Sequence, residues 1–366
     1  MEDEDIFSYF EKPRDPIRFN AIKMSIASPE LIAARSHGEV YRPVTMNYQT
    51  LKPERGGLFC ARIFGPMKDY ECLCGRYKLM EHRGVVCEKC GVEVIQSKVR
   101  SERMGHITLA VPVVHPWFVD SISCLLDIGP ENLFKVLRYE AVLILDPKET
   151  KLPKNGCLSL DQFYEQTDKY GEGFDFDAGS NGVKLALENI DLENLAQEIH
   201  DELIKPRSDI NKLAERLRLV EWFIKSGNKP VWMILTIIPV LPPNHRLPII
   251  KEGIHPMKWD INNIYSRILI SNLKIKKQLE LGMSEMDIYV ERAIELQEEI
   301  NSLFNHYRWG KSQEEYDNAI ADFTKAIELD PQCVDAYIYR AMAYYGKGQH
   351  EKARIDWDQS IIMNRQ

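Results

Sequence analysis

The chain has 366 residues, of which 44% are hydrophobic and 28% charged, and a formal net charge of −8. That length accommodates two or three domains, and the acidic balance excludes a globally basic nucleic-acid binder, so any such contact must be local. The longest apolar run, Trp232 to Pro243, is interrupted by Thr236 and Pro239 and is too short to cross a bilayer, so no membrane association is expected.

The first residues, Glu2, Asp3, Glu4 and Asp5, are acidic rather than basic then apolar. No signal peptide is expected from them, which points to a reducing compartment. Residues 1–65 mix short apolar runs with Pro and Gly, predicting strands and loops. Four cysteines follow in two close pairs: Cys72-Leu73-Cys74, then twelve residues, then Cys87-Glu88-Lys89-Cys90. Two thiolate pairs gripping from tight turns are what one tetrahedral zinc ion needs, and Gly75 and Gly91 stand directly after Cys74 and Cys90, where such turns often need positive φ. Four thiolates leave no open position, so the site would be structural and would supply much of the segment's folding energy. Disulfides and unrelated reduced thiols are the alternatives; Cys60, Cys124, Cys157 and Cys333 lie far apart and read as free thiols. Residues 76–103 carry seven basic residues (Arg76, Lys78, Arg83, Lys89, Lys98, Arg100, Arg103) against four Glu. That is either a nucleic-acid patch or a solvated charged face.

β-rich runs occupy 92–119, a helix is predicted from Pro130 to Ala141 and a strand at Val142–Leu145. Residues 146–182 read as loop-rich, and Phe174-Asp175-Phe176-Asp177 within them as solvated loop rather than a magnesium site. Apolar residues at helical spacing over 183–226 predict two helices interrupted at Pro206, and Trp232–Leu241 a buried strand ending at Pro242-Pro243. Residues 260–307 predict a projecting antiparallel, coiled-coil-like hairpin, broken at Gly282-Met283-Ser284, with Ser284 and Asp287 in a capping box. In the last sixty residues Tyr316, Ala319, Phe323 and Ala326 recur 34 positions on as His350, Ala353, Trp357 and Ser360, the tetratricopeptide period. Such units need neighbours to bury their faces.

Lys52-Pro53-Glu54-Arg55, Ile63-Phe64-Gly65-Pro66, Lys68-Asp69-Tyr70-Glu71-Cys72, Cys87-Glu88-Lys89-Cys90-Gly91-Val92-Glu93-Val94, Glu102-Arg103-Met104-Gly105-His106-Ile107 and Pro239-Val240-Leu241-Pro242-Pro243 resemble the N-terminal part of the bacterial RNA polymerase β′ subunit family, over about residues 1–309. The resemblance implies an α+β, multi-domain clamp region. Residues 1–259 would form its body, with a zinc-binding domain at about 66–106. The clamp-helix coiled coil would span 260–309, and an all-α tetratricopeptide-like segment 310–366. Cys72, Cys74, Cys87 and Cys90 match the family's zinc ligands, His37-Gly38-Glu39-Val40 its zipper and Lys251–Trp259 its lid. Arg76, Lys78, Arg83, Lys98, Arg100 and Arg103 would meet DNA or RNA backbones; Arg267, Lys274, Lys276 and Lys277 would form a sigma-docking edge on the hairpin. The family's nucleotidyltransferase chemistry uses an Asn-Ala-Asp-Phe-Asp-Gly-Asp motif to hold magnesium. That motif is absent, so neither Mg2+ nor polymerisation is expected of this chain alone.

The expected function is therefore a truncated, zinc-stabilised clamp module working in transcription in the bacterial cytoplasm. Its partners would be other polymerase subunits, sigma factor, nucleic-acid backbone and an unidentified protein at the repeats. The alternatives are a non-enzymatic adaptor or decoy that binds sigma through the hairpin and another protein through the repeats, and a decayed gene fragment.

Overall fold

A computed structural model describes residues 24–47, 49–171, 173–204, 210–246, 261–281, 289–307, 313–347 and 349–363. Pro206, the Lys251–Trp259 segment and the Gly282, Ser284 and Asp287 turn lie outside the described residues.

Helix α1 (Pro29–Arg35) starts where Ser28 accepts the Leu31 N–H and Pro29 supplies a preset φ. It leads into β1 (Ser36–Glu39). The two-residue strands β2 (Met46–Asn47) and β3 (Lys52–Pro53) pair antiparallel, and α2 (Ala61–Phe64) follows. The long strand β4 (Met104–Val114) alternates half-buried and buried residues, as a strand with one covered face must. It lies between β1, parallel, and β8 (Ile234–Val240), antiparallel.

A second sheet, ordered β6-β5-β7, has β5 (Ala141–Asp146) between β6 (Cys157–Ser159) and β7 (Asp175–Asp177). Helices α3 (Val119–Leu126), α4 (Pro130–Leu137), α6 (Gly179–Glu188), α7 (Leu192–Leu203) and α8 (Ile210–Ser226) enclose it in a core that includes Ile122, Leu133, Leu143, Val183 and Val220.

Two expectations are revised here. The loop-rich stretch 146–182 also holds a helix: α5 (Leu160–Tyr170) starts at a complete capping box of Ser159 and Gln162. Phe174–Asp177 is not solvated loop, because β7 pairs with β5 and Phe174 is buried. The helical stretch before residue 204 also divides, α6 ending at Glu188 and Asp191 capping α7 through the Glu193 and Asn194 N–H groups.

Helices α9 (Ile261–Glu280) and α10 (Ile294–Tyr307), the latter preceded by a π turn at Tyr289–Ala293, pack against each other where the two arms of the hairpin were expected. Their apolar faces join the first sheet in one core, in which Ile268, Ile275, Leu296 and Ile300 sit with Ile107, Val113 and Ile238. The described part of the hairpin is thus seated on the sheet rather than standing clear of it. At the far end α11 (Gln313–Leu329), α12 (Val334–Gly346) and α13 (His350–Met363) pack in sequence. Ala336, Ala341 and Ala353 are buried between them, and Phe323 stacks on Tyr339 at 5.6 Å. Arg340 grips Asp356 through two bonds of 2.8 Å. Among the described residues no helix is long and apolar enough to cross a membrane.

Candidate metal centre

Each cysteine pair sits on a small closed turn. In the first, the Cys72 N–H donates to the Tyr77 carbonyl at 3.1 Å and the Gly75 N–H to the Cys72 carbonyl at 3.0 Å. In the second, the Cys87 N–H donates to the Val92 carbonyl at 3.0 Å and the Gly91 N–H to the Cys87 carbonyl at 2.7 Å. Gly75 and Gly91 have φ of 76° and 69°, in the left-handed region that a Cβ disfavours.

These turns aim four thiols at one point. The Sγ atoms of Cys72, Cys74, Cys87 and Cys90 lie within 4.8 Å of one another. The Cys72–Cys74 and Cys74–Cys87 separations are both 3.6 Å. Sulfurs arranged tetrahedrally at about 2.3 Å from an ion stand about 3.8 Å apart. A disulfide needs about 2.05 Å, and all eight cysteines are free. The donor set therefore has the size and chemistry to hold one metal ion. Cys72 Sγ also accepts the Tyr77 N–H at 3.3 Å. Around the sulfurs only Ala61, Val92 and Val94 are buried besides Cys72 and Cys87. So small an apolar cluster leaves the turns dependent on what the thiols hold. Of the other four cysteines, Cys60 is buried and Cys124, Cys157 and Cys333 are half-buried.

Polar side chains link the two turns. The Tyr77 hydroxyl donates to Glu88 at 3.0 Å, and Arg76 lies 3.6 Å from the same carboxylate. That hydrogen bond raises the Tyr77 phenol above its ordinary pKa; Glu88 is held below the carboxylate range first by its own backbone N–H and then by Tyr77. The chain entering the first turn is tied to the chain leaving the second by Asp69, which accepts the Ser97 N–H at 2.7 Å, and by the Gln96 amide on the Tyr70 hydroxyl at 3.0 Å.

The basic residues of this region divide. Arg100, one of the residues expected to meet a nucleic-acid backbone, lies inside the fold. It is buried, donating to the Gly65 carbonyl at 2.8 Å and the Phe59 carbonyl at 3.2 Å, and burial pushes its pKa down to about 10. It satisfies backbone acceptors inside the fold, a role its charge hides in the sequence. Arg103 is mostly covered and bonds Glu93 at 2.6 Å. Lys78 lies 3.4 Å from Glu71, and Arg83 and Lys98 are exposed. On the hairpin, Arg267 pairs with Glu299 at 2.8 Å, Lys274 with Glu295 at 3.4 Å and Lys276 with Glu39 at 3.8 Å, while Lys277 is exposed. The carboxylates of Phe174–Asp177 do not converge: Asp175 meets Lys148, and Asp177 accepts from the Ala178 N–H and the Asn181 amide.

Sequence reading missed the residues that seat the hairpin. The Asn272 side chain accepts the Ala110 N–H at 2.7 Å and donates to the Thr108 carbonyl at 2.9 Å. Gln297 does the same for Val114, at 3.0 and 2.8 Å. Arg246 is buried too, donating to the Leu241 carbonyl and to Asn262 with Phe59 under its guanidinium at 4.8 Å. An amide interrupting an apolar helical stripe was the available signal.

Comparison with known proteins places this geometry in a lineage. The DNA-directed RNA polymerase subunit beta' of Syntrophobacter fumaroxidans is 47% identical over 315 residues, covering 84% of this chain and 23% of that protein. The chain thus spans under a quarter of the length of this relative. A family model described as TPR repeat matches residues 311–348. One described as RNA polymerase Rpb1, domain 1, matches residues 16–318, a stretch that contains both thiol turns, both sheets and the hairpin, and the chain belongs to that family.

Proposed function

We propose that this chain is a clamp module of a DNA-directed RNA polymerase, folded around one structural zinc ion and acting in transcription through nucleic-acid and sigma-factor contacts. The observation that carries the reading is the convergence of Cys72, Cys74, Cys87 and Cys90 within the family-matched stretch. An all-thiolate tetrahedral set suits zinc, and four protein ligands close the ion to substrate, so its role is to hold the turns together. The division into a body to residue 259, a zinc domain at about 66–106, the hairpin and the repeats belongs to this proposal.

Arg76, Lys78, Arg83 and Lys98 are exposed cations offered to a phosphate backbone, and the solvent-exposed ion pairs of Arg76 and Lys78 hold those two weakly. Arg103 supports the patch from beneath by fixing Glu93. Lys277, with Arg267, Lys274 and Lys276, forms the edge offered to sigma factor. The magnesium-binding aspartate motif is not among these residues, and no nucleotide incorporation is proposed for them alone. Kinship with a bacterial polymerase subunit supports a cytoplasmic setting.

A second reading, an adaptor joining sigma factor to another protein, is favoured by the tetratricopeptide match that follows the clamp match on one chain. Elemental analysis of the purified full chain tests the first claim: one zinc per chain is expected, and Cys87→Ser should lose it. A metal-free folded protein, or undiminished zinc in Cys87→Ser, defeats the assignment. Affinity capture separates the two readings, since a clamp module recovers other polymerase subunits with sigma and an adaptor recovers sigma without them.

A further inference from the structure

Tyr77 touches both thiol turns, the first through its backbone and the second through its side chain. Its backbone closes the first turn twice, giving its N–H to Cys72 Sγ at 3.3 Å and accepting the Cys72 N–H at 3.1 Å. Its hydroxyl crosses to the second turn and donates to both oxygens of Glu88, at 3.0 and 3.2 Å. Glu88 stands between Cys87 and Cys90. The ring is fixed on the way: His82 meets it edge-on at 5.1 Å, and the Arg76 guanidinium lies 5.6 Å from its centroid. We propose that Tyr77 is a positioning residue for the metal site, a latch that holds the two thiolate turns in register and slows loss of the ion.

The physical argument is one of sequence. An ion held by two thiolates from each turn leaves only after the turns part. Cys74 and Cys87 are joined by a twelve-residue link with no buried residue in it, so the covalent connection restrains the turns weakly. The Tyr77–Glu88 bond spans the same gap as the ion and must break as the turns separate. It adds no ligand and leaves the set of four sulfurs unchanged. Its effect is on residence, as for groups that hold metal ligands in place from outside.

The inference rests on the zinc reading, and the test keeps the two apart. Full-length protein is loaded with zinc and mixed with excess chromogenic chelator, and release is followed with time. If wild type holds no metal, the zinc reading fails. If wild type holds zinc, Tyr77→Phe should release it about tenfold faster, the low end for partners of metal ligands because this bond is at the surface. Glu88→Ala should match it, and the double variant should be no faster than either single one. Glu88→Gln keeps an acceptor oxygen and should restore slow release. Cobalt-loaded Tyr77→Phe should keep the absorption of a tetrahedral four-thiolate site, so that faster loss is read on an intact centre. Release of Tyr77→Phe at the wild-type rate, additive effects in the double variant, Glu88→Gln as fast as Glu88→Ala, or loss of the cobalt spectrum would each overturn the latch.

Discussion

The thiol turns and the hairpin seat are held by opposite means. Around the turns few apolar side chains are buried, and two of those that are belong to cysteines. The hairpin seat buries Ile268, Leu269, Ile275, Leu296 and Ile300 against Ile107, Val113 and Ile238. Polar groups differ as well. At the turns they lie mostly at the surface, as with Tyr77, Glu88 and Arg76. At the seat they are side-chain amides closing the backbone of β4 where β1 has ended: Asn272 on Thr108 and Ala110, Gln297 on Val114. If, as proposed, one region depends on an ion and the other on packing that needs none, the two should fail independently.

Metal removal gives the largest effect. Structural zinc contributes on the order of 10–16 kcal/mol to small thiolate domains. Chelation, or Cys87→Ser, should therefore abolish hydrogen-exchange protection at amides of Cys72–Val94 that bond within the turns, while Ile107, Leu269 and Leu296 keep theirs. Simultaneous loss at both places would show that the sheet leans on the turns and would end the contrast. Next comes the seat: Ile268 is fully buried, and Ile268→Ala should cost about 2–5 kcal/mol, read as a lower urea midpoint with zinc content unchanged.

The same contrast explains what was legible in the sequence. The turns were readable because their chemistry is local: four ligands fall within nineteen residues, and the glycines that permit the geometry adjoin them. The hairpin was readable in outline from its apolar period. Its seat was not, because Asn272 meets backbone 162 to 164 positions away, and an amide within an apolar stripe does not by itself say what it meets. The burial of Arg100 was illegible for the same reason, since its acceptors Gly65 and Phe59 are 35 and 41 positions off. Helix α5 was a different kind of miss. Ser159 and Gln162 spell a capping box, but the glycines and aspartates around them outweighed it. Strand β7 is only three residues long and exists because β5 offers an edge.

The amide closures sharpen the comparison at smaller scale. Asn272→Ala would leave the Ala110 N–H and the Thr108 carbonyl without their partner beneath a packed helix. An unmade buried bond costs about 1–3 kcal/mol. The expected result is a lower unfolding midpoint and faster exchange at Ala110, with the zinc release rate unaltered. If Asn272→Ala is neutral, water has replaced the amide and the seat is held by apolar contact alone.

The smallest effect is a pH dependence at the edge of the seat. His115 packs on Phe304 at 4.1 Å and Phe118 at 4.8 Å, and its Nδ1 accepts the Trp117 N–H at 3.1 Å. Burial pushes its pKa down to about 4, from an ordinary value of 6.5. An imidazolium would face an N–H donor with a second N–H, so the folded protein favours the neutral ring. Because the folded pKa lies below the unfolded one, the unfolded chain binds the proton first as pH falls. The stabilisation is therefore whole above pH 6.5 and is lost between there and about pH 4. Discounted for partial exposure, it is about 1–2 kcal/mol. Acid also protonates the thiolates, so the informative quantity is the difference between wild type and His115→Asn, which keeps an acceptor near Nδ1 but cannot titrate. Denaturation midpoints measured from pH 7 to pH 4 should fall more steeply in wild type. Parallel slopes would mean that His115 opens to water before it charges, and that this edge of the seat is looser than the residues beneath it.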